Sequence, residues 1–299
     1  MIDGLTLDQM RILLAAAREG SFSAAARRLG RAQSAVSYGI ATLEDQLGIK
    51  LFDRSDWKPR LTAEGRALLA DIQSIAGQVE ALRAKARGLA GGLEPELGIV
   101  IDVMFPLGAL TSAVAAFGRI YPTVPLRLSV EALGAVVEPV LDGRSAIGIM
   151  GSLPIVPDEL ARVRLAEVPV VAVAAPDHTL ARERLPLPPC ALQAEVQLVL
   201  TDRSTLTAGR DYGVMSARTW RLADLGAKHA FLQAGLGWGL MPRWIVEEDL
   251  SAGRLVALEL EDALPFGGRM PMYAVYPRDR PPGPAGSWMI EHLVGDQPG

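Results

Sequence analysis

The chain has 299 residues, 49% of them hydrophobic, and a net charge of −4, which is enough apolar side chain for two or three domains with cores of their own. A single cysteine, Cys190, excludes an internal disulfide framework. No apolar stretch reaches transmembrane length, and no basic segment followed by an apolar run opens the chain, so neither a membrane partner nor a signal peptide is expected and the expected compartment is the cytoplasm.

The charge is unevenly spread. Residues 1–90 carry 13 Lys and Arg against 10 Asp and Glu, net +3, and the remainder carries 17 against 24, net −7. A basic head on an acidic body fits a nucleic-acid-binding module attached to something that avoids nucleic acid.

Residues 5–18 read as a first helix with Leu7, Met10, Leu13, Leu14 and Ala17 as its buried stripe, ended by Gly20. A second helix is expected over 23–29, with Ser23 at its cap and Phe22, Ala26 and Leu29 on one side. Gly30 and Arg31 break the pattern. Val36, Ile40, Leu43 and Leu47 then recur at helical steps over 33–47. Two helices joined by a tight turn, the second with polar residues free to point outward, form a helix-turn-helix, which puts its second helix in the major groove. Gln33, Ser34, Ser37, Tyr38 and Thr42 are the candidates for facing DNA. Gln pairs bidentately with adenine, Ser serves several base edges, and Gln33 and Ser34 near the helix start also suit phosphates. Arg27, Arg28 and Arg31 are assigned to the DNA backbone or to nearby acidic groups.

The stretch SFSAAARRLGRAQSAVSYGIATLEDQLG at 21–48, continued by LFDRSDWKPRLTAEG at 51–65, resembles the LysR-type transcriptional regulators. The resemblance implies a winged helix-turn-helix, a dimerising linker helix and a C-terminal effector domain. Relatives usually place Ser or Thr before the Gln that opens the recognition helix, where this chain has Ala32, and often Arg where it has Tyr38. By the same resemblance, residues 54–60 are the wing, with Arg54, Lys58 and Arg60 as phosphate or minor-groove contacts. Trp57 at its tip packs on the linker helix or touches the DNA backbone.

Thr62 caps the next expected helix. In it Leu68, Ile72, Ile75, Val79, Leu82, Ala86 and Leu89 alternate steps of four and three, a heptad seam suited to a partner helix and so to dimerisation. Ala90, Gly91 and Gly92 break it. Beyond lie an expected strand at 97–103, a helix from Pro106 to about residue 121, a strand at 126–131, a helix at 135–141 and a strand at 146–150, an α/β order. Further strands are expected at 168–174, 196–200, 255–260 and 272–276, with helices at 222–234 and 285–293. The phrases FGRIYPTVPLRLSVEA at 117–132, AAPDHTLA at 174–181 and TWRLADLGAKHAFLQAGLGWGLMP at 219–242 resemble the same family, although Ser145 and Ala146 stand where relatives have an acidic residue.

The expected fold is therefore α/β with an N-terminal all-α winged helix-turn-helix domain and a two-lobed periplasmic-binding-protein-like effector domain. The expected divisions are 1–61 for the DNA-binding domain, 62–90 for the linker, 91–96 for a hinge, 97–167 plus 268–299 for lobe 1 and 168–267 for lobe 2. Relatives place the effector between the lobes. The matching positions are Met104, Phe105, Pro106, Gly151, Ser152, Thr201, Arg203, Ser204, Gly237 and Trp238. Two aromatics, two hydroxyls and Arg203 as counter-charge suggest a small organic anion with an apolar or aromatic body.

His178, His229 and His292 are far apart in sequence, and His229 reads as a surface residue. With no phosphate-binding glycine loop or nucleophile elbow, no enzyme, metal or cofactor is expected. The expected function is sequence-specific operator binding modulated by a small-molecule effector. The expected partners are a double-stranded DNA operator, the effector, further copies of the chain as a dimer and then a tetramer, and RNA polymerase. The alternatives are a solute-binding module without a transcriptional role, or a nonspecific DNA-binding protein.

Overall fold

The chain divides into two units, Met1–Gly88 and Leu89–Gly299. The computed structural model describes residues 4–55, 58–151, 157–202, 204–207 and 212–295. Trp57, Ser152 and Arg203 lie outside the described residues.

The first unit contains helices α1 (Leu7–Glu19), α2 (Phe22–Leu29) and α3 (Gln33–Leu47), a small antiparallel wing of β1 (Phe52–Asp53) and β2 (Arg60–Leu61), and most of the long helix α4 (Ala63–Ala90). Left-handed glycines end each of the first three helices, Gly20, Gly30 and Gly48. Thr6 and Gln9 form a reciprocal capping box on α1. The cap of α2 is Ser21, not Ser23: its hydroxyl accepts the Ala24 amide at 3.1 Å. Ala32 gives α3 no side-chain cap, as its methyl group dictates.

The buried face of α1 is rotated from the expected stripe. Ile12, Leu13, Ala15 and Ala16 are buried where the helix meets α2 and α3, whereas Leu7 and Met10 line a groove beside Val79 and Arg83 of α4. The seam of α4 is likewise split. Leu68 and Ile72 pack on the head's own core of Val36, Ile40 and Leu43, so these two positions have an intramolecular role. Beyond them Ile75, Leu82 and Leu89 are exposed, Leu82 to 67%, and Val79 is half-buried.

The second unit is built on β3 (Leu97–Asp102), β4 (Leu126–Glu131) and β5 (Ile147–Gly151), with α5 (Leu107–Ile120) between the first two. β3 lies parallel between its two neighbours and is buried along its length, as a continuous apolar run requires. The helix expected at 135–141 is instead a 3-10 turn, Leu133–Val136, followed by the short α6 (Glu138–Leu141). Pro139 has no N–H to bond back to Ala135, which interrupts the ladder.

A 15-residue strand, β6 (Leu160–Ala174), runs on into the second lobe, well beyond the expected 168–174. Its first part pairs with β11 (Arg269–Pro277), which also pairs with β5. Its last part, from Val170, pairs with β9 (Gly239–Pro242) and β10 (Val256–Leu258). The intervening elements are α7 (Thr179–Arg182), α8 (Pro189–Ala194), β7 (Val196–Leu200), β8 (Arg218–Leu222), α9 (Leu225–Gln233) and α10 (Arg243–Ser251). β7 and β8 form a separate parallel pair. The sequence reading missed β8 and ran the following helix back to residue 222. The helix instead starts after Asp224, whose carboxylate accepts the Ala227 amide at 2.6 Å. α11 (Pro284–Gly295) returns to pack on α5 and β6.

Candidate functional site

Two places in the structure gather candidate side chains, one in each unit. In the head, α3 exposes Gln33, Ser34 and Tyr38, the last 75% exposed, while Ser37 and Thr42 are half-buried. The Thr42 hydroxyl donates to the Tyr38 carbonyl at 3.0 Å, so its proton is committed to its own helix. Gln33 and Ser37 share a concavity with Ser21 and Ser23 of the α2 start and with Arg54 and Lys58 of the wing.

Arg54 is less available to DNA than its place in the wing suggests. Its guanidinium donates to Glu44 at 3.3 Å and lies over the Phe22 ring, 5.4 Å from the centroid. Glu44 is only 2% exposed and also accepts the Leu51 and Phe52 amides at 2.9 and 3.1 Å. That carboxylate ties the C-terminal part of α3 to the wing. Arg31 forms a two-bond pair with Asp8, at 2.6 and 2.7 Å, and Arg28 pairs with Glu19, so both serve acidic neighbours.

In the second unit a cavity of about 110 Å³ opens where the two lobes meet. Lobe 1 contributes Asp102 and Gly151 at the C-terminal ends of β3 and β5, together with Met104 and Leu133. Carboxyl ends of parallel strands are where open α/β sheets hold ligands. Lobe 2 contributes the β7 residues Gln197, Leu198, Val199 and Leu200, with Leu240 and Lys228. Tyr212 and Phe266 supply its aromatic wall.

Three features mark this cavity. First, Leu133 (φ 49°) and Phe266 (φ 56°), the positive-φ non-glycine residues of the described chain, both line it. Such backbone strain concentrates at ligand sites, where the surroundings hold it in place. Second, the Asp102 carboxylate is buried and accepts the amides of Met104, Gly151 and Leu133. Burial pushes its pKa up to about 6, against the pull of those three amides. Third, Lys228 is 4% exposed and its ammonium donates to the Leu240 carbonyl at 2.7 Å. Its pKa is lowered to about 7 by desolvation.

Comparisons with known proteins match both units. The profile of the bacterial regulatory helix-turn-helix protein, lysR family, covers residues 7–66, and that of the LysR substrate binding domain covers residues 90–297. The chain is 30% identical to the HTH-type transcriptional regulator YhaJ of Escherichia coli O157:H7, over 97% of this chain and 96% of the other. It is 31% identical to the HTH-type transcriptional regulator CbbR of Xanthobacter flavus, over 96% and 87%.

The chain belongs to the LysR family.

It is a LysR-type DNA-binding transcriptional regulator with an effector-binding domain. A solved C206 mutant of OxyR from Corynebacterium glutamicum superposes with a TM-score of 0.56 at 20% identity, covering 99% of this chain and 94% of that one, a likeness of fold. No described helix of this LysR-type regulator is long and apolar enough to cross a membrane.

Several positions singled out in its sequence do not meet at the cavity. Met104 and Gly151 line it. Phe105 is buried in the lobe 1 core beneath α5, and Trp238 in the lobe 2 core, where its indole donates to Ser216 at 3.0 Å. Their aromatic faces are consumed by packing. Pro106 precedes α5 away from the cavity wall. Gly237 passes under β7, where a Cβ would approach the Val196 carbonyl to 2.5 Å, so it is a packing glycine.

Thr201 donates its amide to Leu222, and Ser204 is buried against Asp202 at 2.7 Å. Asp202 also takes the Ala135 amide at 2.9 Å and the Thr207 hydroxyl, so this loop clasps lobe 1 rather than facing the cavity. His229 is half-buried rather than a free surface residue: its ring pairs with buried Asp249 at 2.6 Å, beside Gln233 and Arg254.

The residues missed were Asp102, Gln197 and Lys228. Each carried a signal, being a polar residue placed inside an apolar pattern. Asp102 ends the run LGIVID, Gln197 interrupts VQLVL, and Lys228 stands in the buried stripe of Leu225 and Leu232.

Proposed function

We propose that this LysR-type regulator reads its operator with the N-terminal polar face of α3. Gln33, Ser37 and Tyr38 are directed to base edges, Ser34 and Thr42 to the flanking groove, and Lys58 and Arg60 to phosphates, while Arg54 chiefly orients the wing through Glu44. The concavity that gathers the α2 start, α3 and the wing carries this reading, because it joins base-reading and phosphate-binding groups on one surface. The seam of α4 beyond Ile72, at Ile75, Val79, Leu82, Ala86 and Leu89, pairs two chains, and dimers associate further into tetramers. Two paired heads then meet successive major grooves, so the operator has two-fold character. The inter-lobe cavity holds the effector, whose unequal affinity for two lobe arrangements shifts DNA binding and engagement of RNA polymerase. The natural compartment is the cytoplasm, where operator and polymerase are.

Selection of duplexes from a random-sequence pool by the full chain tests this. The expected result is enrichment of a two-fold symmetric site that Ser37→Ala with Tyr38→Ala no longer distinguishes from scrambled duplex. Enrichment of no sequence would overturn specific operator reading. Equal loss of affinity for selected and scrambled duplex would make these two residues backbone contacts.

A further inference from the structure

The cavity holds a buried cation whose charge no carboxylate of the described chain answers. Lys228 enters it from α9, and its ammonium donates to the Leu240 carbonyl. Among the described residues no salt bridge includes it. An ammonium has three donors, and a desolvated one without acceptors is costly. Asp102 lines the same cavity, but its oxygens accept three backbone amides and no ion pair joins it to Lys228 among the described residues. Asp102 is therefore satisfied by its own lobe, whereas Lys228 is short of an acceptor. The intervening wall is apolar, formed by Leu198, Val199, Leu200 and Met104. A cavity of about 150 Å³ holds benzene, so one of about 110 Å³ encloses roughly four to five non-hydrogen atoms, and the remainder of a longer ligand lies in its opening.

We propose that the effector is a small monocarboxylate with an apolar body, its carboxylate paired with Lys228 and its hydrocarbon end directed along β7 toward lobe 1. This rests on the reading of the inter-lobe cavity as the effector site. A dicarboxylate is disfavoured because its second charge meets the apolar wall or the Asp102 carboxylate. The sequence placed the counter-charge at residue 203; the buried amine of Lys228 takes that role in this proposal.

Pairing with an anion holds the amine protonated, so binding takes up a proton wherever the empty site has lost it. Asp102 and Tyr212 are the other ionisable side chains at the cavity. On α9, Asp224 caps the helix and His229 is tied to Asp249 of α10. β7, β9 and residues 170–174 of β6 carry no ionisable side chain, and β8 brings Arg218 and Arg221, both exposed.

Calorimetry of the full chain against pentanoate, pentanamide, pentylamine and glutarate tests the proposal. Pentanoate is expected to bind at least about tenfold more tightly than the other three, the margin of a charge-assisted hydrogen bond. Lys228→Met is expected to abolish the preference for pentanoate over pentanamide while leaving pentanamide affinity within about threefold. In the unmodified protein, pentanoate affinity should fall as pH rises from 7 to 9, and its binding heat at pH 8 should vary with the buffer's ionisation enthalpy. These last readings do not depend on the variant folding, and an amine that merely anchors β9 would produce neither.

Tighter binding of pentylamine or pentanamide, or binding of no carboxylate, overturns the assignment. A cavity-filling Met104→Trp separates the two levels. If it leaves pentanoate binding intact, the cavity is not the site and the Lys228 proposal falls with it. If it abolishes binding while Lys228→Met does not, the cavity stands and the counter-charge assignment alone is wrong.

Discussion

Glu44 in the head and Lys228 in the effector domain are both charged and both buried, 2% and 4% exposed, yet their surroundings differ in kind. Glu44 has two amides and two cations from its own chain, so its burial is fully answered by the fold. Lys228 has one carbonyl. The linker helix repeats the contrast in apolar terms. Leu68 and Ile72 are covered by their own head, and Leu82 on the same seam is uncovered. A side chain whose partners lie within the chain belongs to the fold. One whose partners are missing marks where something else binds.

The sharpest way to break this contrast is at Glu44. Glu44→Ala leaves the Leu51 and Phe52 amides without their acceptor, and we expect a loss of about 3 kcal/mol from the head's unfolding free energy in urea. A change below about 1 kcal/mol would mean the carboxylate is dispensable to the fold.

Along the linker, Ile72→Asp should destabilise the head by a similar amount, about 3 kcal/mol, because it buries an uncompensated charge. Leu82→Asp should leave the head's stability within about 0.5 kcal/mol, as exposed substitutions do, and reduce the mass seen by light scattering. Unchanged mass with Leu82→Asp would remove the seam from the assembly.

In the effector domain the contrast is read through pH. The Lys228 pKa is lowered to about 7 in the folded state, so the unfolded chain binds more protons above that pH, and stability gains as pH rises from 7 toward 10. Relative to Lys228→Met, the native protein should recover about 1 kcal/mol per pH unit across that window. Asp102 has the opposite sense. Its pKa is raised to about 6, so its contribution is full below pH 4 and is lost as pH rises through 6. Asp102→Asn should flatten the unfolding profile between pH 4 and 6. A slope that both variants leave unchanged would mean neither group is desolvated as described.

The smallest effect is expected at Tyr38, 75% exposed, whose proposed partner is DNA. Tyr38→Ala should cost about 1 kcal/mol of affinity for a selected operator, none for scrambled duplex and nothing in head stability. Fluorescence titration of both duplexes distinguishes this from a phosphate contact, which would weaken the two equally.

Much of the head was legible because its signals are local. The bounds of α3, the bare Ala32 cap and the break at Gly30 follow from residues within a few positions of each other. Ser23 was mistaken for the cap because Ser21 offers the same hydroxyl two residues earlier, and only backbone geometry chooses between them. In the effector domain the strand at 196–200 was found as drawn, since an unbroken apolar run identifies it. The turn at 133–136 was not, because Asp202 takes the Ala135 amide from 67 residues away and Pro139 withholds a donor.

Sequence by itself determined the helix-turn-helix, the heptad repeat of the linker and the strand–helix alternation that opens lobe 1, because hydrophobic period, caps and breakers act over short range, while the two-lobed body was implied by the family resemblance. Sequence also put Met104 and Gly151 just after strand ends, and both line the inter-lobe cavity. Tertiary structure alone decided which side of the linker seam is already occupied, that Phe105 and Trp238 are core, and that Asp202 clasps the lobes. It also brought Asp102 and Lys228 to one cavity from opposite lobes. Those outcomes depend on which surfaces exclude water from which charge, and that is set by contacts between segments distant in sequence, such as Asp202 and Ala135, 67 residues apart.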